Sequence, residues 1–247
     1  MRCQLLPVVD RMVQLYRQPP GFNRFSGYLK ILQKDTKGDL LAPVGGYNPM
    51  AKAPAVAKLL ALSDLQAEAI MGETLSQLSL PDLPGEQGNT YSFALVLSDD
   101  LQGGWTNRFT TDFANKFRMQ ALVKRGLGTV VCWTSEVFSP ALIRERTLES
   151  VFRLAYWVAH GKPWTLRQHF DQEVAVARNA QISPEPYLPD VRSLRAFLAE
   201  NGDSESYSLI FNFFYGDQAS ESLAYPAFGI TEQFAGFRLA AQTAAGR

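Results

Sequence analysis

The sequence predicts an α/β fold: a small, mostly parallel sheet of about four strands flanked by helices, with a helical segment at the N-terminus. Three observations carry this. Apolar or aromatic runs suited to buried strands stand at 91–97, 129–133 and 207–215. Stretches with apolar residues at three- and four-residue spacing lie around them. Such alternation of strand and helix favours a parallel sheet with helices packed on it.

The elements follow in order. Residues 3–18 read as an amphipathic helix, with Leu5, Leu6, Val9, Met12, Val13 and Tyr16 on one side and Pro19-Pro20-Gly21 as its stop. A second short helix covers 24–33 and ends in a polar turn at 34–39. A short strand is expected at 40–44, weakened by Pro43, with a loop at 45–49. Residues 54–78 read as helical, and the capping-box spacing of Ser63 and Gln66 suggests a break near 62. A loop rich in Pro and Gly covers 80–89. The strand at 91–97 is the clearest and ends in Ser98-Asp99-Asp100. Residues 111–125 read as a helix capped by Thr110 or Thr111 and stopped at Gly126. The strand at 129–133 ends in Thr134-Ser135-Glu136. Ser139-Pro140 then opens a helix to 159, because serine caps and proline suits a first turn. Thr165 with Gln168 opens another to 179. A surface connection at 182–189 leads to a helix over 190–200, the strand over 207–215 and a final helix over 231–244.

A chain of 247 residues suits one α/β domain over 1–247, with residues 1–38 as a helical extension packed on it. Lysine plus arginine and aspartate plus glutamate both number 24, so no basic excess points to nucleic acid. The groups Lys124-Arg125 and Arg144 to Arg153 read as solvated helix faces. No run of apolar residues is long enough for a membrane span, so no membrane partner is expected. Two cysteines, Cys3 and Cys132, imply no disulfide framework and fit a reducing, cytoplasmic setting. Cys132 lies inside an apolar strand and reads as buried and inert.

In an open parallel sheet, ligands bind beyond the carboxyl ends of the strands. Four polar clusters fall at predicted strand ends: Gly45-Gly46-Tyr47-Asn48, the stretch from Asp99 to Arg108, Trp133-Thr134-Ser135-Glu136, and Tyr215-Gly216-Asp217. Parallel strands would bring all four to one edge. The second cluster is the richest. Asp99 and Asp100 follow a buried strand, Gly103-Gly104 permit close backbone approach, Trp105 offers a flat wall, and Asn107 and Arg108 offer donors. The plain alternative is a turn, since Asp and Gly are common turn residues.

These residues suit carboxylate chemistry on a small polar molecule. Asp99, Asp100 and Glu136 are the candidate ligands or acid and base groups. Asn48, Trp105, Asn107, Arg108, Trp133 and Ser135 are candidate binding residues. Asp99, Asp100 and Asp217 could also hold a hard divalent ion, Mg or Mn, with Glu136 beside them. Ser135 has no nucleophile elbow around it. No Walker loop, dinucleotide fingerprint, paired-cysteine or zinc-protease motif occurs. His169 and Glu173 share a helix face and read as a surface pair. His160, before Gly161, reads as a favourable charge at a helix end. The expected function is a small-molecule hydrolase. The alternatives are a non-catalytic module for a polar metabolite, or a structural protein with no small-molecule site.

Overall fold

Near the N-terminus, the chain is extended where a helix is expected. The computed structural model describes residues 1–33, 39–78, 80, 89–101, 106–184 and 188–246. In it, β1 (Arg2–Leu5) is a strand and the helix α1 (Val9–Tyr16) begins only after Pro7. Pro7 explains the difference. It disfavours helical backbone at Leu6 and cannot donate to a preceding turn, so the apolar spacing of Leu5 and Leu6 does not become part of a helix. The start of α1 is capped from elsewhere: Glu68 accepts from the Val8 and Val9 amides at 2.6 and 3.0 Å.

The chain divides into two compact units, Met1–Leu154 and Ala155–Arg247. The first holds the sheet. After α1 come α2 (Phe22–Leu32), α3 (Ala53–Asp64) and α4 (Ala67–Gln77). The predicted break in the 54–78 helix falls at Leu65–Gln66, where Gln66 takes a left-handed φ of 57°. Residues 40–44 are not a strand. Leu40 makes one isolated antiparallel bridge to Gln33, and Pro43 supplies no amide for a ladder.

The two clearest predicted strands are present as β2 (Thr90–Ser98) and β3 (Leu127–Trp133). Between them lie α5 (Arg108–Phe117) and α6 (Gln120–Val123). Among the described residues the sheet is three-stranded, in the order β1-β2-β3, and both pairings are parallel. Register runs from Ser92↔Leu127 to Ser98↔Trp133, so β2 and β3 end side by side. From Phe93 to Ser98 every residue of β2 is buried, as a covered parallel strand requires. Helix α5 starts from Asn107 rather than from Thr110 or Thr111.

The helix α7 (Pro140–His160) begins in the first unit and ends in the second. The second unit continues with α8 (Leu166–Asn179), α9 (Val191–Asn201), α10 (Tyr207–Tyr215), α11 (Asp217–Glu221) and α12 (Ala235–Ala244). Thr165 and Gln168 form the predicted capping box on α8. The strand expected at 207–215 is instead α10. It is buried from Leu209 through Tyr215, so it shows no polar face from which a helical period can be read. Gly216 ends it with φ 83°, its amide bonded to the Asn212 carbonyl at 2.7 Å.

The observed fold is therefore mixed α/β with a wholly parallel sheet, one strand smaller than expected and with β1 as an unforeseen member. Among the described residues no helix is long and apolar enough to cross a membrane. The turn at 34–38, the loop at 81–88, residues 102–105 and part of the 182–189 connection, at 185–187, lie outside the described residues.

Candidate functional site

The site is built where β2 and β3 end together. Pairing continues one step past the strands, because the Thr134 amide donates to the Ser98 carbonyl at 3.0 Å. Asp99 and Asp100 therefore leave one strand beside Thr134, Ser135 and Glu136 leaving the other.

Asp100 is the most heavily bonded carboxylate. Its Oδ1 accepts from the Thr134 hydroxyl at 2.9 Å and the Ser135 amide at 2.9 Å. Its Oδ2 accepts from the Ser135 hydroxyl at 2.7 Å and from Arg108 Nη1 at 3.0 Å. Burial pushes its pKa up, but the bonds from Ser135, Arg108 and Thr134 outweigh burial and hold it below the usual aspartate value.

Arg108 joins the two strand ends. Its Nη2 donates to Glu136 Oε1 at 2.9 Å, and the guanidinium lies 4.9 Å from the centre of the Trp133 ring. Glu136 has further donors: Arg146 Nη2 at 3.1 Å and the Trp133 amide at 3.2 Å. Lys58 reaches the Glu136 backbone carbonyl at 2.5 Å. Burial alone would lower the pKa of Arg146, but Glu149, Glu136 and Asp112 raise it above the usual arginine value.

Asp99 is only 7% exposed, and neutral donors hold it. Asn48 Nδ2 donates to its Oδ2 at 3.0 Å, and the Thr134 hydroxyl lies 3.3 Å from its Oδ1. Asn48 arrives by a packed loop rather than by a strand end. Tyr47 is fully buried, and its hydroxyl donates to the Leu95 carbonyl at 2.9 Å, on the edge of β2 beyond the reach of β1. Gly46 lets this loop lie flat on the sheet, since a Cβ there would stand 2.6 Å from Ser98 Oγ and 2.7 Å from Val96 Cγ1.

The structure thus brings Asn48, Asp99, Asp100, Arg108, Trp133, Ser135 and Glu136 to one edge. Trp133 is fully buried beneath Arg108 rather than standing as an open wall. Asn107 lies in the same turn, but its side-chain oxygen caps α5, accepting from the Thr110 amide at 3.1 Å. Trp105 lies outside the described residues. Asp217 belongs to the second unit and follows a helix, so the expectation that it marks a strand end is overturned. Its Oδ1 accepts from Asn212 Nδ2 at 2.9 Å and from the Phe228 and Ile230 amides, both at 3.1 Å. Among the described residues no group of three or more His, Cys, Asp or Glu side chains is placed to hold a metal ion. The cation shared by Asp100 and Glu136 is Arg108.

Three partners escaped the sequence reading. Thr134 bonds both strand ends, its hydroxyl to Asp100 Oδ1, though its position in the 133–136 cluster gives it no distinguishing mark in the sequence. Lys58 comes from a helix distant in sequence, and Arg146, within the group expected on a solvated helix face, instead turns to Glu136 ten residues before it. His169 and Glu173 are buried at 5% and 4% exposure, because their shared face of α8 turns inward rather than to solvent. Arg153 is likewise buried rather than on a solvated face. Cys3 and Cys132 are both free, and burial pushes the Cys132 thiol up to about 12. No protein-family model matches the chain, no curated protein matches it, and no solved structure matches it.

Proposed function

We propose that the carboxyl edge of β2 and β3 binds a small polar molecule without transforming it. The observation that carries this reading is the shared use of Arg108. One guanidinium, 28% exposed, neutralises Asp100 from one strand and Glu136 from the next. Asp100, held ionised by this cation and by the bonds from Ser135 and Thr134, is a poor proton donor near neutral pH. It is well suited to fixing neighbouring groups in place. The Ser135 hydroxyl and the Arg108 guanidinium, held by that network, are the groups a polar ligand would meet.

A catalytic reading, a hydrolase using Asp99 as acid or base, has one specific observation in its favour. Asp99 is the carboxylate of this edge with no cation paired to it among the described residues.

The test is a thermal-shift screen of sugars, polyols, amino acids and dicarboxylates on the wild type, Ser135→Ala and Arg108→Met. Binding predicts a ligand that raises the wild-type melting temperature, has a smaller effect on both variants, and is recovered unchanged after long incubation. A ligand recovered as product would replace this reading with the catalytic one. A ligand acting equally on all three proteins would remove the site from this edge.

A further inference from the structure

Arg24, on α2, is a buried cation that the strand-edge site does not use. It is 1% exposed, yet no salt bridge among the described residues includes it. Its Nη1 lies 3.5 Å from the Gln18 carbonyl, at the outer limit of a hydrogen bond. Its Nε and Nη2 are buried with no partner. The face of the guanidinium is covered, with its carbon 4.2 Å from the centre of the Tyr16 ring.

We propose that the unpaired Nε–Nη2 edge of Arg24 is a binding site for a small oxyanion, a carboxylate or a phosphate.

The pattern of paired and unpaired donors carries the argument. Nε and Nη2 form the side of a guanidinium that presents two parallel N–H groups, the fork that carboxylates and phosphates fill bidentately. A buried charge without a counter-charge is costly, and stacking on a tyrosine offsets only part of that cost. The remainder is recovered when an anion closes the fork. Burial also pulls the Arg24 pKa below its usual value, with Tyr16 acting in the opposite direction, as expected for a cation lacking a full partner. The neighbours are themselves fixed. The Tyr16 hydroxyl donates to the Asn48 carbonyl at 2.7 Å, so the ring beneath the guanidinium is held in place. The turn joining α1 and α2 lies beside the guanidinium: the Gln18 carbonyl accepts from Nη1, and Gln18, Pro19 and Pro20 are exposed. This site rests on α1, α2 and the turn between them, and does not depend on the strand-edge reading.

The test is a titration of the full chain followed by the arginine Nε–H signals in nitrogen-edited NMR. The Arg24 signal is identified by its loss in Arg24→Lys. Sodium phosphate and sodium acetate are added separately, with sodium chloride as the ionic-strength control. The expected result is a saturable movement of the Arg24 signal by phosphate or acetate with a Kd below about 10 mM. Phosphate alone acting assigns a phosphate ligand, and acetate alone a carboxylate. Arg24→Lys, which keeps charge but loses the fork, is expected to weaken the anion-dependent rise in melting temperature about tenfold in concentration. Arg24→Met is expected to abolish it without lowering stability in the absence of anion, since a buried unpaired charge is removed. No saturable movement of the wild-type signal by either anion would overturn the proposal, as would an equal response to chloride. Those two outcomes are read on the wild type and stand even where a variant fails to fold.

Discussion

Replacing Arg108 with methionine removes the cation between the two strand ends while keeping most of the side chain's apolar length. The structure sets the size of the effect. Arg108 makes charge-assisted bonds at 3.0 Å to Asp100 and 2.9 Å to Glu136, and the Asp100 side chain is only 3% exposed. Such bonds contribute about 1.5–3 kcal/mol each when well formed. Two features reduce the sum: solvent screens the part-exposed arginine, and Glu136 keeps Arg146 at 3.1 Å. The expected loss is about 2–3 kcal/mol, mostly through Asp100. Stability is measured by urea denaturation with hydrogen exchange read on β2 and β3, because a chain of two units need not unfold in one transition. Asp100→Asn and the double variant complete the cycle, with an expected coupling of about 1–2 kcal/mol. The effect also has a pH signature. The folded pKa of Asp100 is lowered, so its stabilisation is fully present above the ordinary aspartate value of about 3.9 and is lost as pH falls through the lowered folded value. The gap between wild type and Arg108→Met should therefore narrow across that acidic window. Additivity of Arg108→Met and Asp100→Asn within about 0.3 kcal/mol, or a gap independent of pH, would refute the reasoning.

Three further outcomes are expected. Gly46→Ala should cost about 1–3 kcal/mol, because its Cβ would stand 2.6 Å from Ser98 Oγ; a melting temperature unchanged from wild type would show that the loop does not rest on the sheet this way. Cys132, its thiol pushed up to about 12 by burial, should resist alkylation at pH 8 until the protein is unfolded, and labelling of the folded protein at the rate of a free thiol would contradict its burial. Burial lowers the His169 pKa, so between the lowered folded value and about 6.5 the unfolded chain binds more protons and stability should fall as pH falls; His169→Gln should flatten that slope in hydrogen exchange of the second unit, and an unchanged slope would assign it to another group.

The parts of the fold legible in the sequence were those with one dominant local signal. β2 and β3 are apolar runs bounded by polar residues, and they are the parallel neighbours that this pattern predicts. The capping box at Thr165 fixed the start of α8 because both its bonds are local. The errors came where two local readings compete. The stretch from Tyr207 to Tyr215 has strong strand propensity, yet it folds as α10, whose rings pack on one another and on Phe237. A run buried on every side carries no period, so burial removed the feature that separates helix from strand. At the N-terminus the period was present but misleading: the spacing of Leu5, Leu6 and Val9 fits a helix, and Pro7 forbids it.

The site follows the same logic at longer range. Asp99, Asp100, Ser135 and Glu136 were legible because a parallel pair of strands carries whatever follows each strand to a common edge. Their roles were not legible, because a carboxylate's role depends on which cation reaches it. The sequence leaves Arg108 two uses, a donor to a bound carboxylate or phosphate and a counter-charge to a neighbouring carboxylate, and in the fold it pairs with both Asp100 and Glu136. Arg146 comes from α7 and Lys58 from α3, positions that only packing determines. Asn48 shows the converse case. It was expected at this edge for the wrong reason, as the end of a strand at 40–44, and it reaches Asp99 because Tyr47 anchors to Leu95 and Gly46 clears Ser98. A side chain that arrives by packing is sensitive to substitutions that never touch it. Replacing Gly46 therefore disturbs Asp99 through Asn48, whereas replacing Arg108 disturbs Asp100 directly, and the two perturbations separate the two carboxylates of this edge.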